Sequence, residues 1–392
     1  MTMEGIMQGT DMKVADMPTD GLQEFSTYDA YEAWLMDEGV KVYEKFYFPS
    51  LMKIELGPWE RKGGSGAVIH IKNPLLLNDC HVVEIRPGGK SEPEHHMYEM
   101  TIYVVSGRGA TTIWQDERDE KHKQTFEWQA GSLFCIPLNA WYQNFNGSGD
   151  EAVRYLAVTN APPMMRLYRD NDFIFNSEFK FRSRYAGEDD YFSGNGKLFK
   201  RRVWESNFIA NAPDMPLYGY KERGAGGINA RLEMANNNMK NHISEFPVGT
   251  YKKAHRHGPG AHLVLLSGTG GYSVVWTKED RSDMIKCDWQ FGSMVIVPND
   301  HCFHQHFNTG TNRARYLALK RGNMGTYAPN VRDEGSNTSI KEGGWQIEYE
   351  DEDREIHEIF EKELRAHGAP CRMKAFVPWC TGEVGPTRER DA

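Results

Sequence analysis

The sequence predicts a mainly all-β chain: a duplicated β-barrel of the jelly-roll (double-stranded β-helix) kind, with helical N- and C-terminal flanks. Three observations carry this. One stretch of the chain repeats another at a fixed offset. Trp128-Gln129-Ala130-Gly131-Ser132 matches Trp289-Gln290-Phe291-Gly292-Ser293, Pro137 matches Pro298, and Arg154-Tyr155-Leu156-Ala157 matches Arg315-Tyr316-Leu317-Ala318. An offset of about 161 residues (289 − 128) is too long for a solenoid and indicates a doubled domain. Each copy also breaks into short apolar or β-branched runs, such as Thr101 to Val105 and Tyr272 to Trp276, separated by Gly, Asn and Asp. Finally, 12 % aromatics with 38 Gly and 18 Pro suit a turn-rich β protein better than a helical bundle.

The segments follow in order. Residues 1–55 form an N-terminal extension in which Thr27 to Lys45 carries Tyr31, Trp34, Leu35 and Val42 on rough helical spacing, interrupted at Glu38-Gly39. Residues 56–165 are the first barrel. Residues 166–230, rich in aromatics, Arg, Asn and Gly, read as a connector, and 231–330 as the second barrel. In the tail, 331–392, Glu348 to His367 is a predicted helix with Ile356, Ile359, Phe360 and Leu364 on its apolar face, stopped by Gly368 and Pro370.

Composition narrows the partners. The net charge is −9 and no long basic run occurs, which argues against a nucleic-acid or anionic-membrane partner. No stretch approaches the roughly 20 apolar residues of a membrane span. Met1 to Glu24 lacks the basic start and apolar core of a signal peptide. The six cysteines (Cys80, Cys135, Cys287, Cys302, Cys371, Cys380) show no CxxC spacing and read as reduced, packed thiols of a cytoplasmic protein. The flanks are expected to cover barrel edges or to build a homo-oligomer contact, since open edges invite pairing.

The chemistry concentrates in the second copy. It reads Gly249 to His255-Arg256-His257, then Gly268, then Gly292 to Pro298, then His304-Gln305-His306-Phe307-Asn308. Residues i and i+2 of a strand share a face, so His255 and His257 point together into the barrel, and a strand after Pro298 brings His304 opposite them. Three converging imidazoles suit one divalent ion: Fe(II), Mn(II), Ni(II), Cu(II) or Zn(II). Imidazole must be unprotonated to bind, so loading is expected to fall in acid.

This pattern resembles the cupin superfamily over about residues 56–165 and 231–330. Its first motif is Gly-x5-His-x-His-x3–4-Glu-x6-Gly, met here by Gly249, His255, His257 and Gly268. Its second is Gly-x5-Pro-x-Gly-x2-His-x3-Asn, met by Gly292, Pro298, His304 and Asn308, with Asp300 for the second Gly and one extra residue before His304. The Glu ligand is absent, with Ala261 and His262 at its two spacings. His-Arg-His without that Glu, and Phe303-His304-Gln305-His306, are similar to the gentisate and salicylate 1,2-dioxygenase group of bicupins. That resemblance implies a three-His Fe(II) site opening aromatic rings that bear hydroxyl and carboxylate groups, with O2 and a small-molecule acid as reactants.

Further residues are expected around the metal. His306 shares the face of His304 and is assigned a catalytic or substrate-contacting role. His262 reads as a fourth ligand, a pocket acid–base group or an outward-facing residue. Trp276 and Phe303 are expected to wall the pocket, and Arg231 to clamp a substrate carboxylate. Arg313 and Arg315 share a face, but Arg154 matches Arg315 in the other copy, so that pair reads as structural. The first copy has Glu94, His96 and Tyr142 where the second has His255, His257 and His304, and reads as a degenerate site. Three functions stay open: ring-opening dioxygenase, non-oxidative metal enzyme (isomerase, lyase or hydrolase), and non-catalytic binding bicupin.

Overall fold

Two barrels, each made of a large and a small sheet, occupy most of the described chain. The structure, a computed structural model, describes residues 28–71, 76–116, 123–256, 258, 260–298, 301–322 and 337–384. The first barrel's large sheet runs Gly64–His70, Asp79–Ile85, Val153–Thr159, Met100–Ser106 and Leu133–Ile136. Its small sheet runs Trp141–Asn146, Arg108–Trp114 and Gln124–Gln129. The second barrel repeats this with Ile228–Glu233, His242–Phe246, Ala314–Leu319, Ala261–Ser267 and Met294–Val297 facing Thr250–Tyr251, Phe303–Asn308, Tyr272–Trp276 and Ile285–Asp288.

Strand alternation explains the continuous apolar runs. Val264, Leu266, Met294, Ile296, Leu317 and Leu319 join one core that continues into the first barrel. Their neighbours Leu263, Leu265, Val295, Val297, Tyr316 and Ala318 form a separate core inside the second barrel. A strand buried on both faces has no polar side to show, so its sequence loses the period-2 pattern. The outer face of the small sheet makes a third core with the tail.

Each barrel borrows an edge strand. Tyr47–Phe48, ahead of the first barrel, pairs with Met294–Val297 of the second (Tyr47 with Val295). Phe208–Ile209, ahead of the second, pairs with Leu133–Ile136 of the first (Phe208 with Phe134). After each borrowed strand comes a short 3₁₀ turn whose amide bonds the far barrel: Leu51 N to Gly292 O at 2.8 Å and Ala212 N to Gly131 O at 2.9 Å. The same turns are tied to their own barrels by arginine. Arg154 Nη1 donates to Leu51 O (2.8 Å) and Ile54 O (3.2 Å) while its Nη2 holds Glu84. Arg315 Nη1 donates to Met215 O (2.9 Å) and to Pro213 O while its Nε holds Glu245. The expectation that these two arginines are structural thus acquires a specific geometry.

Residues 166–230 do more than connect. Besides lending Phe208–Ile209 to the first barrel, they supply Val203–Glu205, which lies parallel to Ile228–Glu233 in the second barrel's sheet. That sheet's strand begins at Ile228, three residues before the expected start at 231. Helix α1 (Ala30–Glu38) begins after Asp29, whose side chain accepts from the Tyr31 and Glu32 amides, and stops at left-handed Gly39. Helices α2 (Ala161–Tyr168) and α3 (Asn171–Asn176) follow the first barrel. Helix α4 (Arg354–His367) begins at the Asp353 cap and not at Glu348, and ends at Gly368 as expected. All six cysteines are buried and unbridged. Among the described residues no helix is long and apolar enough to cross a membrane.

Arg315→Ala is expected to lower the unfolding free energy by about 1–2 kcal/mol, because two partly buried carbonyls lose their donor. Arg313 also pairs with Glu245 but its side chain is 55 % exposed, so Arg313→Ala should cost under about 0.5 kcal/mol. Urea unfolding of both variants checks this, and equal losses would reject the role given to Arg315.

Candidate metal centre

The site starts from two backbone hydrogen bonds. His255 N donates to His304 O at 3.1 Å and His304 N to His255 O at 2.9 Å. Residues that exchange both bonds in an antiparallel pair present their side chains on the same side. The two rings accordingly lie 4.2 Å apart, centroid to centroid. His255 Nδ1 donates to Lys253 O (3.0 Å), and His304 Nδ1 faces Cys302 O (3.5 Å). Both tautomers are thereby fixed with the lone pair on Nε2, the form a metal-ligating imidazole takes. His257, the third predicted ligand, lies outside the described residues, as does Asp300.

His306 points to the same interior, 5.4 Å from the His304 ring and 6.4 Å from that of His255. Its Nδ1 shares a 2.8 Å hydrogen bond with Ser273 Oγ, which also accepts from Trp289 Nε1. The first barrel repeats this relay with Trp128, Thr111 and Asn144, and there the hydroxyl donates to the Asn144 side-chain oxygen. By the same direction Ser273 donates to Nδ1, and the His306 Nε2–H faces the interior.

The surroundings are cationic. Arg223 and Lys252 are buried. Lys252 Nζ donates to Tyr316 OH at 3.0 Å. Burial, with Arg223 nearby, lowers the Lys252 pKa to about 7. Burial lowers the His304 pKa to about 3 and that of His306 well below its usual value, and Arg223, Lys252 and Lys320 reinforce this. His242 is depressed in the same way, with Arg231 among the cations acting on it. Arg231 is half-buried and pairs in register with His242, on the inward face of its strand.

Three predicted residues sit elsewhere. His262 faces away from the His255–His304 interior, its Nε2 3.0 Å from Ile69 O of the first barrel, because strand Ala261–Ser267 begins with Ala261 inward and so puts His262 on the inter-barrel face. Trp276 and Phe303 stack on each other (5.7 Å) on the outer face of the small sheet, beneath the tail. Inward positions alternate with them: Ser273 and Val275 on one strand, His304 and His306 on the other. The interior aromatics next to His306 include Trp289 and Tyr316, 5.8 and 5.0 Å from its ring.

Sequence reasoning missed Arg223 and Lys252. Arg223 stands 161 residues after Lys62, so extending the repeat upstream would have found it. Lys252 is hidden because it is three residues from His255, a spacing that a regular strand would put on opposite faces. Only the irregular backbone at Lys253-Ala254 turns both inward.

The first barrel keeps the backbone and changes the chemistry. Glu94 and Tyr142 exchange the same two hydrogen bonds, at 3.1 and 2.9 Å. Between them Lys62, 1 % exposed, places its Nζ 2.5 Å from Glu94 Oε1, which Tyr142 OH also contacts. His96 Nε2 is 3.5 Å from Tyr142 OH. An internal ammonium thus meets one oxygen of the acidic group of this barrel, and the other, Oε2, is buried without a hydrogen-bond partner among the described residues.

The comparisons with known proteins follow this geometry. A family profile described as the cupin domain matches residues 81–159. The chain is similar to a 5-aminosalicylate 1,2-dioxygenase from a Comamonas species, 28 % identical over 118 residues. That match spans 28 % of this chain and 28 % of the relative, little more than a quarter of its length. Among solved structures it is similar to the Lactobacillus farciminis oxalate decarboxylase formate complex (TM-score 0.45, 13 % identity, 71 % of this chain and 86 % of that one). It is also similar to a Bacillus subtilis oxalate decarboxylase (TM-score 0.45, 14 % identity, 71 % and 78 %).

Buried neutral histidines set the acid limit of the fold. The pKa of His262 is lowered to about 4 and that of His304 to about 3. The unfolded chain therefore binds more protons than the folded one between those values and about 6.5, and stability is lost as pH falls through that window. Glu352, raised to about 7 by burial, acts in the opposite sense, but His81, His96, His242 and His306 add to the larger group. Metal-free protein should lose about 1.4 kcal/mol per pH unit for each of His262 and His304 below pH ~6.5. A melting temperature that is flat or rising from pH 6.5 to 4.5 would contradict this.

Proposed function

We propose that this chain, a bicupin whose residues 81–159 match the cupin domain, is a metal-dependent dioxygenase that opens the ring of a hydroxylated aromatic acid with O2. The observation that carries this reading is an interior with imidazole donors, cationic neighbours and, among the described residues, no carboxylate beside the His255–His304 pair. Ala261 and His262 stand where a Glu ligand would, the first apolar and the second turned to Ile69. His255, His304 and, by sequence, His257 are the residues that would hold the ion, and the donor set fits Fe(II) with Mn, Ni, Cu or Zn as competitors. Bound there, Fe(II) would supply a Lewis-acidic centre with positions for an anionic chelate and for O2.

The remaining work belongs to this chain's own side chains. Arg223, Lys252 and Arg231 set a positive potential that selects an anion, and a guanidinium suits a carboxylate. His306 directs its Nε2–H to the interior from a neutral ring and can donate to a substrate oxygen. Lys252, whose pKa lies near neutrality, can take the proton of a substrate hydroxyl. Trp289 and Tyr316 offer the apolar and aromatic surface a ring requires. The partial similarity to an aminosalicylate dioxygenase supports the same substrate class. Lys252 also favours a second reading, a non-oxidative enzyme whose essential step is proton transfer by that amine.

The test is O2 uptake by protein purified anaerobically and loaded with Fe(II), over a panel of hydroxy- and aminobenzoates. O2 consumption with loss of the aromatic absorbance is expected, and His304→Ala should abolish both metal retention and turnover. Arg223→Ala should raise KM by about 10- to 100-fold, the loss of one charge-assisted pair. No uptake with any acid would reject the oxygenase. Anaerobic turnover that is lost in Lys252→Met would establish the second reading instead.

A further inference from the structure

A second group of metal-binding side chains lies outside the barrel, where the tail packs on the outer face of the small sheet. Helix α4 brings His357, and the chain after Gly368 brings Cys371 and Cys380. One ring nitrogen and the two Sγ atoms lie within 4.8 Å of one another, and all three residues are buried. We propose that they form a thiolate-rich site for zinc or a similar thiophilic divalent cation, which pins the C-terminal tail to α4 and to the back of the strand carrying His304 and His306.

The distances favour coordination over a disulfide. The sulfurs are 3.5 Å apart, far beyond a disulfide bond of about 2.05 Å. Two thiolates on one tetrahedral zinc, each at about 2.3 Å, sit about 3.8 Å apart.

The histidine is held in the ligating tautomer. Tyr251 OH has a single proton and donates it to Glu352 Oε1 at 2.6 Å. His357 Nδ1, 3.1 Å from that hydroxyl oxygen, must therefore carry its own proton and donate. The lone pair is left on Nε2, which is buried and has no hydrogen-bond partner among the described residues. An oxygen acceptor on one ring nitrogen and a lone pair on the other is the arrangement seen around metal-bound histidines.

Glu361 stands at the edge of this group, its other carboxylate oxygen 3.9 Å from Arg365 Nη1. Its Oε1 lies 3.3 Å from that Nε2, so a carboxylate oxygen faces a lone pair. The same carboxylate also acts on Cys371. A cation bound by the His357 ring and the two sulfurs would have this carboxylate within reach as a fourth ligand. Loading displaces both thiol protons to solvent, one cation for two protons, with no change of oxidation state.

The consequence reaches the barrel. Tyr251 and Glu352 link His357 to Gln305, whose Nε2 donates to Glu352 Oε2 at 2.5 Å. Gln305 stands between His304 and His306 on their strand.

Cobalt substitution of the full-length chain under reducing conditions tests the site. Thiolate-to-cobalt charge-transfer absorption is expected in the unmodified chain and in His304→Ala, the latter retaining about one cobalt. It should vanish in Cys371→Ser/Cys380→Ser, which should keep the histidine-bound cobalt of the barrel. Absence of the charge-transfer band in the unmodified chain at saturating cobalt would overturn the proposal, and that reading needs no variant to fold. A double-serine variant with an unchanged metal count would overturn it equally. Failure of the barrel to bind metal would remove the other cobalt and leave this band in place.

Discussion

Two arginine–carbonyl ties, buried at Arg154 and partly buried at Arg315, hold the exchange of strands on which the rest of the molecule depends. Tyr47–Phe48 and Phe208–Ile209 each complete the sheet that does not follow them in sequence. Such an exchange covers two open edges at once. It works only if the chain, having left for the far barrel, returns at a fixed place. Arg154 and Arg315 define that place, each taking carbonyls from the returning turn and a carboxylate from its own sheet. Fixing the turns also fixes the two short segments just beyond them, which carry Lys62 and Arg223. The cation inside each barrel is thus positioned by the element that joins the barrels.

That shared frame makes the divergence of the two interiors a matter of side chains alone. In both, a doubly hydrogen-bonded pair sets two side chains next to each other, Glu94 with Tyr142 and His255 with His304. In the first barrel Lys62 and Glu94 form a buried ion pair. Removing either partner would strand a charge. In the second, imidazoles replace the acid and the phenol, and Arg223 and Lys252 act on them as cations. This interior places two cations beside its imidazoles. It also keeps its imidazoles neutral, so proton competition for His304 begins only toward pH ~3, later than an exposed histidine would imply.

Repetition was the most legible property of the sequence, and it revealed the doubled barrel, the equivalence of Arg154 with Arg315 and the replacement of His255 by Glu94. Strand borrowing was not legible, because two-residue strands such as Tyr47–Phe48 carry no periodicity. His304 and His306 could be assigned to one face because their strand is regular. His262 could not, since its phase depends on the turn at residues 258–260, and a one-residue change there reverses the face. Trp276 and Phe303 misled for a related reason. The small sheet is covered on both sides, by the barrel interior and by the tail, so an aromatic residue fits either face. Only the known inward direction of His304 and His306 distinguishes them.

The outer cover of the small sheet also bears on what happens inside. Gln305 points outward, and its amide donates both to Glu352 and to Lys252 O at 2.9 Å. Lys252 N in turn donates to His306 O. The backbone of Lys252 is thereby held on both sides of the residue whose amine reaches Tyr316 in the interior. Glu352 receives the other end of this arrangement while buried, its carboxyl raised to about 7. Left unpaired there it would cost several kcal/mol, so Tyr251 and Gln305 are constrained to meet it, and with them the strand of His304 and His306. Gly249 shows the same dependence from the other end of the segment. It adopts φ +73°, and a Cβ on it would lie 1.9 Å from Pro370 O of the tail. The glycine that opens the histidine motif is therefore required by a contact outside the barrel, and the geometry of the interior is set as much by the layer behind it as by the residues facing it.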